Sequence, residues 1–277
     1  MDTAELIKKA LKEDIGSGDI TTETIMLKDK QAEAYITAKE DGIICGLDIA
    51  KEVFQTLDKN IIFEHLSKDT DKVAAGKDIA KITGSEKAIL TGERTALNFL
   101  GHLSGIATET SRFVALCRNA QILDTRKTTP LLRNFEKYAV RCGGGKNHRM
   151  GLYDMILIKD NHIKAAGSVR NALESAKKAN EKNTAAKMKI EIECETLDEV
   201  KEALECGVAD IIMLDNMTTE DMKKAVNIIG KKARIEASGG VNLKTVSEID
   251  KTGVDYISVG SITSSAKRLD LSLTIRK

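Results

Sequence analysis

The chain has 277 residues, of which 31% are charged and 42% are hydrophobic, and its 43 Lys and Arg residues nearly balance its 42 Asp and Glu residues. This composition is typical of a soluble globular protein, and the length suffices for one large domain or two smaller ones. The neutral charge balance argues against a general nucleic-acid or membrane-surface binder, which needs a broad basic face.

Signals for membrane insertion, secretion or disulfide bonding are absent from the sequence. No apolar run approaches the roughly 20 residues that a membrane-spanning helix needs, and the N-terminal residues lack an apolar signal core. The five cysteines form no C-x-x-C pair, which favours reduced thiols over disulfides or a zinc site. We therefore expect a cytoplasmic protein that binds neither nucleic acid nor membrane.

The first third of the chain mixes helical and strand-like patterns. An amphipathic N-terminal helix is followed by a turn-rich segment at 16–19, by two alternating, strand-like segments between residues 31 and 46, and by a helix over 49–57 with one apolar stripe. Glycines interrupt the strand-like residues 71–84. A long helical pattern then covers about residues 85–117, and we expect it to break between Gly101 and Gly105.

From residue 121 onward, short apolar runs alternate with amphipathic helices. This rhythm indicates parallel strands joined by right-handed crossovers. Because no glycine-rich dinucleotide turn is present, a closed or nearly closed β/α barrel fits better than an open sheet. Pro130 is expected in the first turn of a helix, where its missing N–H costs little. The strand-like runs lie at residues 122–125, 155–160, 189–194, 210–215, 234–238 and 255–260, and the tail at 269–277 also alternates like a strand.

Basic residues are concentrated between residues 124 and 164, where nine Lys and Arg residues outnumber four Asp and Glu residues. In β/α barrels the carboxyl ends of the strands hold the active site, and here those ends are polar throughout. A cluster of Arg, Lys and His indicates a small, strongly anionic ligand, because Arg binds carboxylate and phosphate through two parallel hydrogen bonds. Glycine loops before a helix expose N–H groups to phosphate. His148 and Arg149 join this region from the loop GGGKNHR. The strand-end residues themselves are cationic at Arg126, Lys127 and Lys159, acidic at Glu193 and Asp215, and small at Ser238, Gly239, Gly240, Gly260 and Ser261.

Each of these residues also has a purely structural interpretation. Asp160 is as compatible with a helix cap as with a functional role, and Gly239–Gly240 also fits an ordinary strand-to-helix turn. We expect the basic residues at 133, 137, 141 and 164 to lie on solvated helix faces, and His65, His102, Cys142 and Cys194 to be structural. Packing alone does not concentrate charged groups at every strand end, which favours a functional site.

Distinctive motifs recur in order along nearly the whole chain, and together they resemble the quinolinate phosphoribosyltransferase family, whose members are also called carboxylating nicotinate-nucleotide pyrophosphorylases. The segment EDIGSGDITT at 13–22 is similar to the same family. The main motifs are GERTALNFL at 92–100, DTRKTTP at 124–130, GGGKNHR at 143–149, LYDMILIKDNHI at 152–163, IEIE at 190–193, MLDN at 213–216, EASGG at 236–240 and ISVGS at 257–261.

The resemblance implies a fold and an assembly. It implies an N-terminal α/β sandwich domain over residues 1–110, joined by the tail 265–277, and an incomplete, about seven-stranded β/α barrel over residues 111–264. Our six strands leave one unassigned. The family works as a homodimer or an assembly of dimers, in which the arginine that matches Arg94 enters the neighbouring subunit's site.

The resemblance also implies the reaction. The phosphoribosyl group of 5-phosphoribosyl 1-diphosphate is transferred to quinolinate with decarboxylation, which gives nicotinate mononucleotide, CO2 and diphosphate for NAD biosynthesis. Mg²⁺ is the implied metal, held by Glu193 and Asp215 directly or through substrate and water, and no organic cofactor is implied. The catalytic residues would be Lys127, Lys159, Glu193 and Asp215. The substrate-binding residues would be Arg94, Thr125, Arg126, Lys127, His148, Arg149, Lys159, Glu193, Asp215, Ser238, Gly239, Gly240, Val259, Gly260 and Ser261.

Other functions stay open from the residues alone. A paralogous pyrophosphorylase for another anionic base would share the phosphate loops and differ around His148 and Arg149. A barrel aldolase would use Lys127 or Lys159 as a Schiff-base lysine. A non-catalytic anion sensor would keep the cations but would not need the two carboxylates at the strand ends.

Overall fold

The computed structural model of the chain describes residues 2–182 and 187–276. Within these ranges, no helix combines the length and the apolar character needed to cross a membrane. The helices are α1 (Thr3–Ile15), α2 (Ile20–Ile25), α3 (Leu47–Leu57), α4 (Glu86–Leu116), α5 (Arg133–Cys142), α6 (Asp160–Ala166), α7 (Val169–Lys182), α8 (Leu197–Cys206), α9 (Thr219–Ile229), α10 (Val246–Asp250) and α11 (Ser261–Ser264). The strands are β1 (Gln31–Ala38), β2 (Gly42–Ile43), β3 (Ile62–His65), β4 (Lys72–Val73), β5 (Asp78–Ser85), β6 (Gln121–Leu123), β7 (Ile156–Ile158), β8 (Ile190–Cys194), β9 (Ile211–Asp215), β10 (Arg234–Ser238), β11 (Tyr256–Ser258) and β12 (Leu271–Arg276).

The chain divides into two compact units, neither of which is continuous in sequence. The first contains residues 1–111, 129–144 and 265–277, and the second contains residues 112–128 and 145–264. Helix α5 therefore groups with the first unit, although the expected barrel domain of residues 111–264 includes it. The expected domain boundaries themselves stay predictions.

An antiparallel sheet lies at the centre of the first unit. Its strand order is β12–β1–β5–β3, and β1 buries alternate residues such as Ala34 and Ile36, as a sheet with one covered face does. Strand β12 pairs with β1 from Leu271, opposite Ala38, to Arg276, opposite Glu33. The prediction that the tail returns to the first domain is therefore confirmed.

Helix α4 runs without interruption from Glu86 to Leu116, so the predicted break between Gly101 and Gly105 is wrong. The two glycines allow close packing instead. A Cβ atom on Gly105 would lie 2.2 Å from the backbone oxygen of Lys267, and one on Gly101 would lie 2.9 Å from the backbone oxygen of Leu269. The C-terminal segment can approach the helix backbone because both positions lack a side chain, at about 1 kcal/mol of helix propensity per glycine.

Six parallel strands form the sheet of the second unit, in the order β6–β11–β10–β9–β8–β7. The first two of these strands in chain order, β6 and β7, are the two edges, so the sheet is an incomplete barrel, as predicted. Lys146, between them in sequence, forms a single parallel bridge with Leu123 of β6. The resemblance implies about seven strands. Within the described residues, the sheet has six strands and this single bridge.

Local backbone and side-chain geometry explains where two helices of the chain begin. Thr196 accepts a hydrogen bond from the N–H of Glu199, and the Glu199 side chain accepts one from the N–H of Thr196. Together they form a capping box at the start of α8.

Helix α5 begins at Arg133, because the residues before it form turns and Leu131 has a φ of +70°. Pro130 therefore lies before the helix and not in its first turn, where the sequence pattern placed it.

Candidate active site

A cavity of about 780 Å³ lies at the carboxyl ends of the strands in the second unit. It brings together most of the residues that the sequence analysis selected. These are Thr125, Arg126, Lys127, His148, Arg149, Lys159, Glu193, Asp215, Ser238, Gly239, Gly240, Gly260 and Ser261. The remaining lining residues are Leu157, Met213, Asn216, Glu236, Val241, Ser258 and Ser264.

Hydrogen bonds fix the two loops that carry most of the positive charge. Asp124, which is fully buried, follows β6 and accepts a hydrogen bond from the backbone N–H of His148 at 2.9 Å. The N–H of Lys127 donates to Oγ1 of Thr125 at 3.0 Å, and the hydroxyl of Thr263 donates to the backbone oxygen of Lys127 at 2.8 Å. The backbone positions of the cationic residues are thus set by the barrel.

Arg149 is the buried cation of the site. Its side chain donates from Nη1 to the backbone oxygen of Met155 at 3.1 Å, while Nε has no hydrogen-bond partner within the described residues. Burial, and then the positive charge of Arg126, lower the pKa of Arg149 below its ordinary value. An anion between the two guanidinium groups would relieve their repulsion and satisfy the remaining donors.

An ion pair connects the cationic and acidic parts of the cavity. Nζ of Lys159, the residue after β7, lies 2.6 Å from Oε2 of Glu193 in β8. Asp215, at the end of β9, accepts a hydrogen bond from Nδ2 of Asn216 at 2.6 Å. Carboxylate oxygens are the ligands that Mg²⁺ prefers. Glu193 and Asp215 offer such oxygens at the cavity, and one oxygen of Glu193 is paired with Lys159.

The loop after β10 places backbone atoms at the cavity wall. Gly239 has a φ of +91°, and a Cβ atom at this position would lie 2.1 Å from Oδ1 of Asn216, so only glycine fits. The helix that follows, α10, begins only at Val246, and α11 after β11 has four residues. The expectation that each glycine loop directly precedes a regular helix is therefore wrong for Gly239–Gly240, and the loop itself forms the wall.

The comparison with known families decides the assignment. The family model described as the C-terminal domain of quinolinate phosphoribosyl transferase matches residues 106–274, and the N-terminal domain of the same family matches residues 19–104. The chain belongs to the quinolinate phosphoribosyltransferase family. The predicted family is therefore confirmed over nearly the whole sequence.

Individual family members match over nearly all of this chain and over most of their own length. A protein from Bacillus subtilis (strain 168), named probable nicotinate-nucleotide pyrophosphorylase [carboxylating], is 44% identical over 98% of this chain and 92% of its own. Quinolinate phosphoribosyltransferase [decarboxylating] 2b, mitochondrial, from Nicotiana tabacum is 43% identical over 99% of this chain and 82% of its own. The solved nicotinate-nucleotide pyrophosphorylase from Francisella tularensis is 44% identical and superimposes with a TM-score of 0.93 over 99% of this chain and 96% of that chain.

Two residues that the family resemblance assigned to substrate binding do not line the cavity. Arg94 belongs to the first unit, where it is exposed on α4. Val259 is 1% exposed, and its N–H donates to the backbone oxygen of Leu123 at 2.9 Å. The N–H of Val259 is thus used in the sheet and is not available to a phosphate oxygen.

The sequence analysis missed two buried carboxyl groups at or beside this cavity. Glu191 and Glu236 are both fully buried. Nε2 of His148 lies 3.1 Å from Oε2 of Glu191 and 3.6 Å from Oε1 of Glu236. A signal was present, because side chains two residues apart in a strand share one face. Glu191 precedes Glu193 by two positions, and Glu236 precedes Ser238 by two positions.

Proposed function

We propose that this protein is a decarboxylating quinolinate phosphoribosyltransferase, which makes nicotinate mononucleotide, CO2 and diphosphate from quinolinate and 5-phosphoribosyl 1-diphosphate in NAD biosynthesis. The observation that supports this most strongly is one cavity in which strand-end cations, two carboxylates and a glycine loop face the same space. A dianionic pyridine and a sugar diphosphate together require these groups and little else.

The cationic side of the cavity suits quinolinate. We assign the two carboxylates of this substrate to Arg126, Arg149 and Lys159, with Thr125 and His148 beside them. Arg149 is already buried and retains a donor without a protein partner within the described residues, so a carboxylate there would form charge-assisted hydrogen bonds, each of about 1.5–3 kcal/mol.

The opposite side suits the phosphoribosyl donor. Ser238, Gly239 and Gly240 after β10, and Gly260 and Ser261 after β11, offer small side chains and backbone groups to the 5-phosphate. Glu193 and Asp215 can accept hydrogen bonds from the ribose hydroxyls and can hold Mg²⁺. When bound, the metal supplies positive charge to the diphosphate leaving group.

The chain's own residues then orient the reaction. As diphosphate leaves C1′, positive charge develops on the sugar, and the nearby carboxylates stabilise it. The cations bind the carboxylates of quinolinate and so hold its ring nitrogen on the face of the sugar opposite the leaving diphosphate. Two anions that repel each other are thereby positioned for attack at C1′. Ribosylation makes the ring cationic, and the ring then accepts the electrons of the C2–carboxylate bond as CO2 departs.

We further propose that the active form is a homodimer or an assembly of dimers, with Arg94 of each subunit entering the neighbouring site, and that it works in the cytoplasm. The exposure of Arg94 on α4 supports such a contribution.

The environment of Lys159 does not favour the Schiff-base alternative, because a Schiff-base lysine needs a desolvated surrounding. Its side chain is 47% exposed and is paired with Glu193.

The decisive experiment is incubation of the protein with quinolinate, 5-phosphoribosyl 1-diphosphate and Mg²⁺. We expect nicotinate mononucleotide and CO2 in equal amounts, with no product when EDTA replaces Mg²⁺. Nicotinate in place of quinolinate is the matched control, and it should give no product because it lacks the 2-carboxylate. Turnover of another anionic base in preference to quinolinate, or borohydride trapping of a carbonyl compound on a lysine, would contradict the proposal.

A further inference from the structure

A second cavity, of about 350 Å³, lies in the same unit as the active site. Residues at the beginnings of strands line it, among them Gln121 of β6, Ile211 of β9 and Tyr256 of β11. The other lining residues are Leu123, Lys146, Asn147, His148, Arg149, Asp154, Met155, Lys189 and Glu236. This volume can hold several water molecules, each of which takes about 30 Å³ in the liquid.

The two cavities share three lining residues, His148, Arg149 and Glu236. Glu236 is fully buried, and the side chain of His148 is 8% exposed. A thin layer of titratable groups therefore separates the substrate cavity from a second space at the other ends of the strands.

The ring of His148 is turned toward the buried carboxyl groups. Its Nδ1 accepts a hydrogen bond from the N–H of Arg149 at 2.7 Å, which places the proton of the neutral ring on Nε2. Nε2 faces Glu191 and Glu236, at 3.1 and 3.6 Å. His148 is thus held between the substrate cavity and two carboxyl groups.

Glu236 is placed to hold a proton. The hydroxyl of Ser258 donates to its Oε1, and its Oε2 has no partner within the described residues, so the anion is poorly stabilised. Burial, and then the negative charge of Glu191, raise the pKa of Glu236 to about 8, against smaller opposing effects of His148, Ser258 and Lys159. The charged groups that face it are thus Glu191 from β8, His148 from the loop after Lys146, and Lys159 from the end of β7.

The proposed reaction requires a proton at this place. When the bond between C2 and its carboxylate breaks, CO2 leaves and the electron pair stays on C2. That pair must form a C2–H bond before the pyridine nucleotide can leave as product. One proton is therefore consumed in each turnover, and a donor that is reached from a second space can be recharged even while products occupy the substrate cavity.

We propose that Glu236 is the proton reservoir of this step, that His148 passes the proton to C2, and that water in the second cavity recharges Glu236. The inference rests on the proposed function. To protonate C2, the ring of His148 must swing toward the substrate cavity, where it gives its Nε2 proton to the electron pair. On its return it takes a proton at the same nitrogen from Glu236, which is left as a carboxylate. That carboxylate then takes a proton from water in the second cavity, and the hydroxide that is left is neutralised by exchange with the solvent. Glu236 acts through His148 and is a positioning residue, whereas His148 touches the substrate.

Glu236→Gln tests the reservoir, because it keeps the shape of the side chain and removes the acidic proton. We expect kcat to fall at least tenfold at pH 7, with the KM of quinolinate changed by less than threefold and diphosphate release in the first turnover kept. The wild-type kcat should fall as the pH rises past about 8, and this alkaline decrease should be absent in the variant. Glu236→Asp keeps an acid and should restore part of kcat together with the alkaline decrease.

Glu191→Gln is the matched control, because it removes an equally buried carboxyl group that also faces His148. This variant should keep the alkaline decrease of kcat but shift it to lower pH, because the negative charge of Glu191 helps to raise the pKa of Glu236. The proposal is overturned if Glu236→Gln retains wild-type kcat, if its pH profile matches that of the wild type, or if both glutamine variants lose the alkaline decrease equally. Failure of the wild type to turn over quinolinate would instead overturn the proposed function, and the proton reservoir with it. Thermal unfolding establishes that each variant is folded.

Discussion

Nζ of Lys159 lies 2.6 Å from Oε2 of Glu193, across the gap between the ends of β7 and β8. A cation that is assigned to substrate is thus held in place by a carboxylate that is assigned to the sugar. The pair sets the position of the lysine before any anion arrives, and an entering anion must compete with Glu193 for it.

Lys159→Ala should lower kcat/KM for quinolinate about 10- to 100-fold, because one charge-assisted hydrogen bond to the substrate is lost. Steady-state kinetics with quinolinate as the varied substrate measures this. Lys164→Ala is the matched control, since Lys164 forms an exposed ion pair with Asp160 in α6, and such pairs contribute little. Equal losses in the two variants would argue against a role of Lys159 at the substrate.

Arg126→Ala and Arg149→Ala should both raise the KM of quinolinate at least tenfold, but only the second should also lower stability. Arg126 is exposed, whereas Arg149 is buried and donates to the backbone oxygen of Met155. We expect Arg149→Ala to lower the free energy of unfolding, measured by urea denaturation, by about 1–3 kcal/mol, because a buried acceptor loses its donor. Arg170→Ala removes a surface pair with Glu205 and serves as the control for both measurements. Near wild-type turnover in either site variant would refute the assignment.

Gly239→Ala should weaken binding of 5-phosphoribosyl 1-diphosphate. The new methyl group would collide with Asn216, whose Oδ1 lies 2.1 Å from the required Cβ position, and φ at this residue is +91°. The loop after β10 must therefore move, and we expect the KM of this substrate to rise at least tenfold. Gly207→Ala, which also has a positive φ but nothing within 4 Å, should cost about 1 kcal/mol of stability and leave KM unchanged. An unchanged KM in Gly239→Ala would contradict a phosphate-binding role of the loop.

Stability at acid pH should depend on Asp250. Its burial alone would raise its pKa, but hydrogen bonds from the backbone N–H groups of Arg118, Asn119 and Ala120 together lower it. A carboxyl group whose pKa is lowered by folding stabilises the protein above its unfolded pKa of about 3.9, and this contribution is lost as the pH falls through the lower, folded value. Asp250→Asn should therefore lower the unfolding free energy by about 1–3 kcal/mol at pH 7.

The matching measurement is urea denaturation of wild type and Asp250→Asn at pH 7 and at pH 3. The difference between the two proteins should shrink at the lower pH. Asp198→Asn, which alters only an exposed ion pair with Lys201, should show no comparable loss at pH 7. A difference that stays constant between pH 7 and pH 3 would show that the Asp250 charge is not what stabilises the start of β6.

Much of the second unit could be predicted from sequence because buried parallel strands are continuous apolar runs, and because their carboxyl ends must converge on one edge. The predicted run at 210–215 corresponds to β9, Ile211–Asp215, and Asp215 lines the cavity at its end. Charged residues inside strands were harder to interpret. Glu191 and Glu236 lie within apolar runs, and only their pairing with His148 shows that the barrel interior contains carboxyl groups.

Helix α5 shows what sequence patterns cannot reveal. Lys137 was expected on a solvated face, yet it is fully buried, as is Glu136. Glu136 accepts from the N–H of Thr129 and lies 2.8 Å from Nε2 of His102, a residue 34 positions away. Such burial depends on packing between distant segments, which leaves no periodic trace in the helix itself.

The pairing of β12 with β1 has a consequence for biosynthesis. Strand β1 is complete within the first 38 residues, whereas its neighbour starts at Leu271. A nascent polypeptide therefore carries a vacant strand edge on the ribosome through nearly all of its translation, and unpaired edges invite aggregation. A stop codon shortly before Leu271 would give a protein that has the whole barrel sequence but lacks β12. The edge of β1 would then stay unpaired and prone to aggregation.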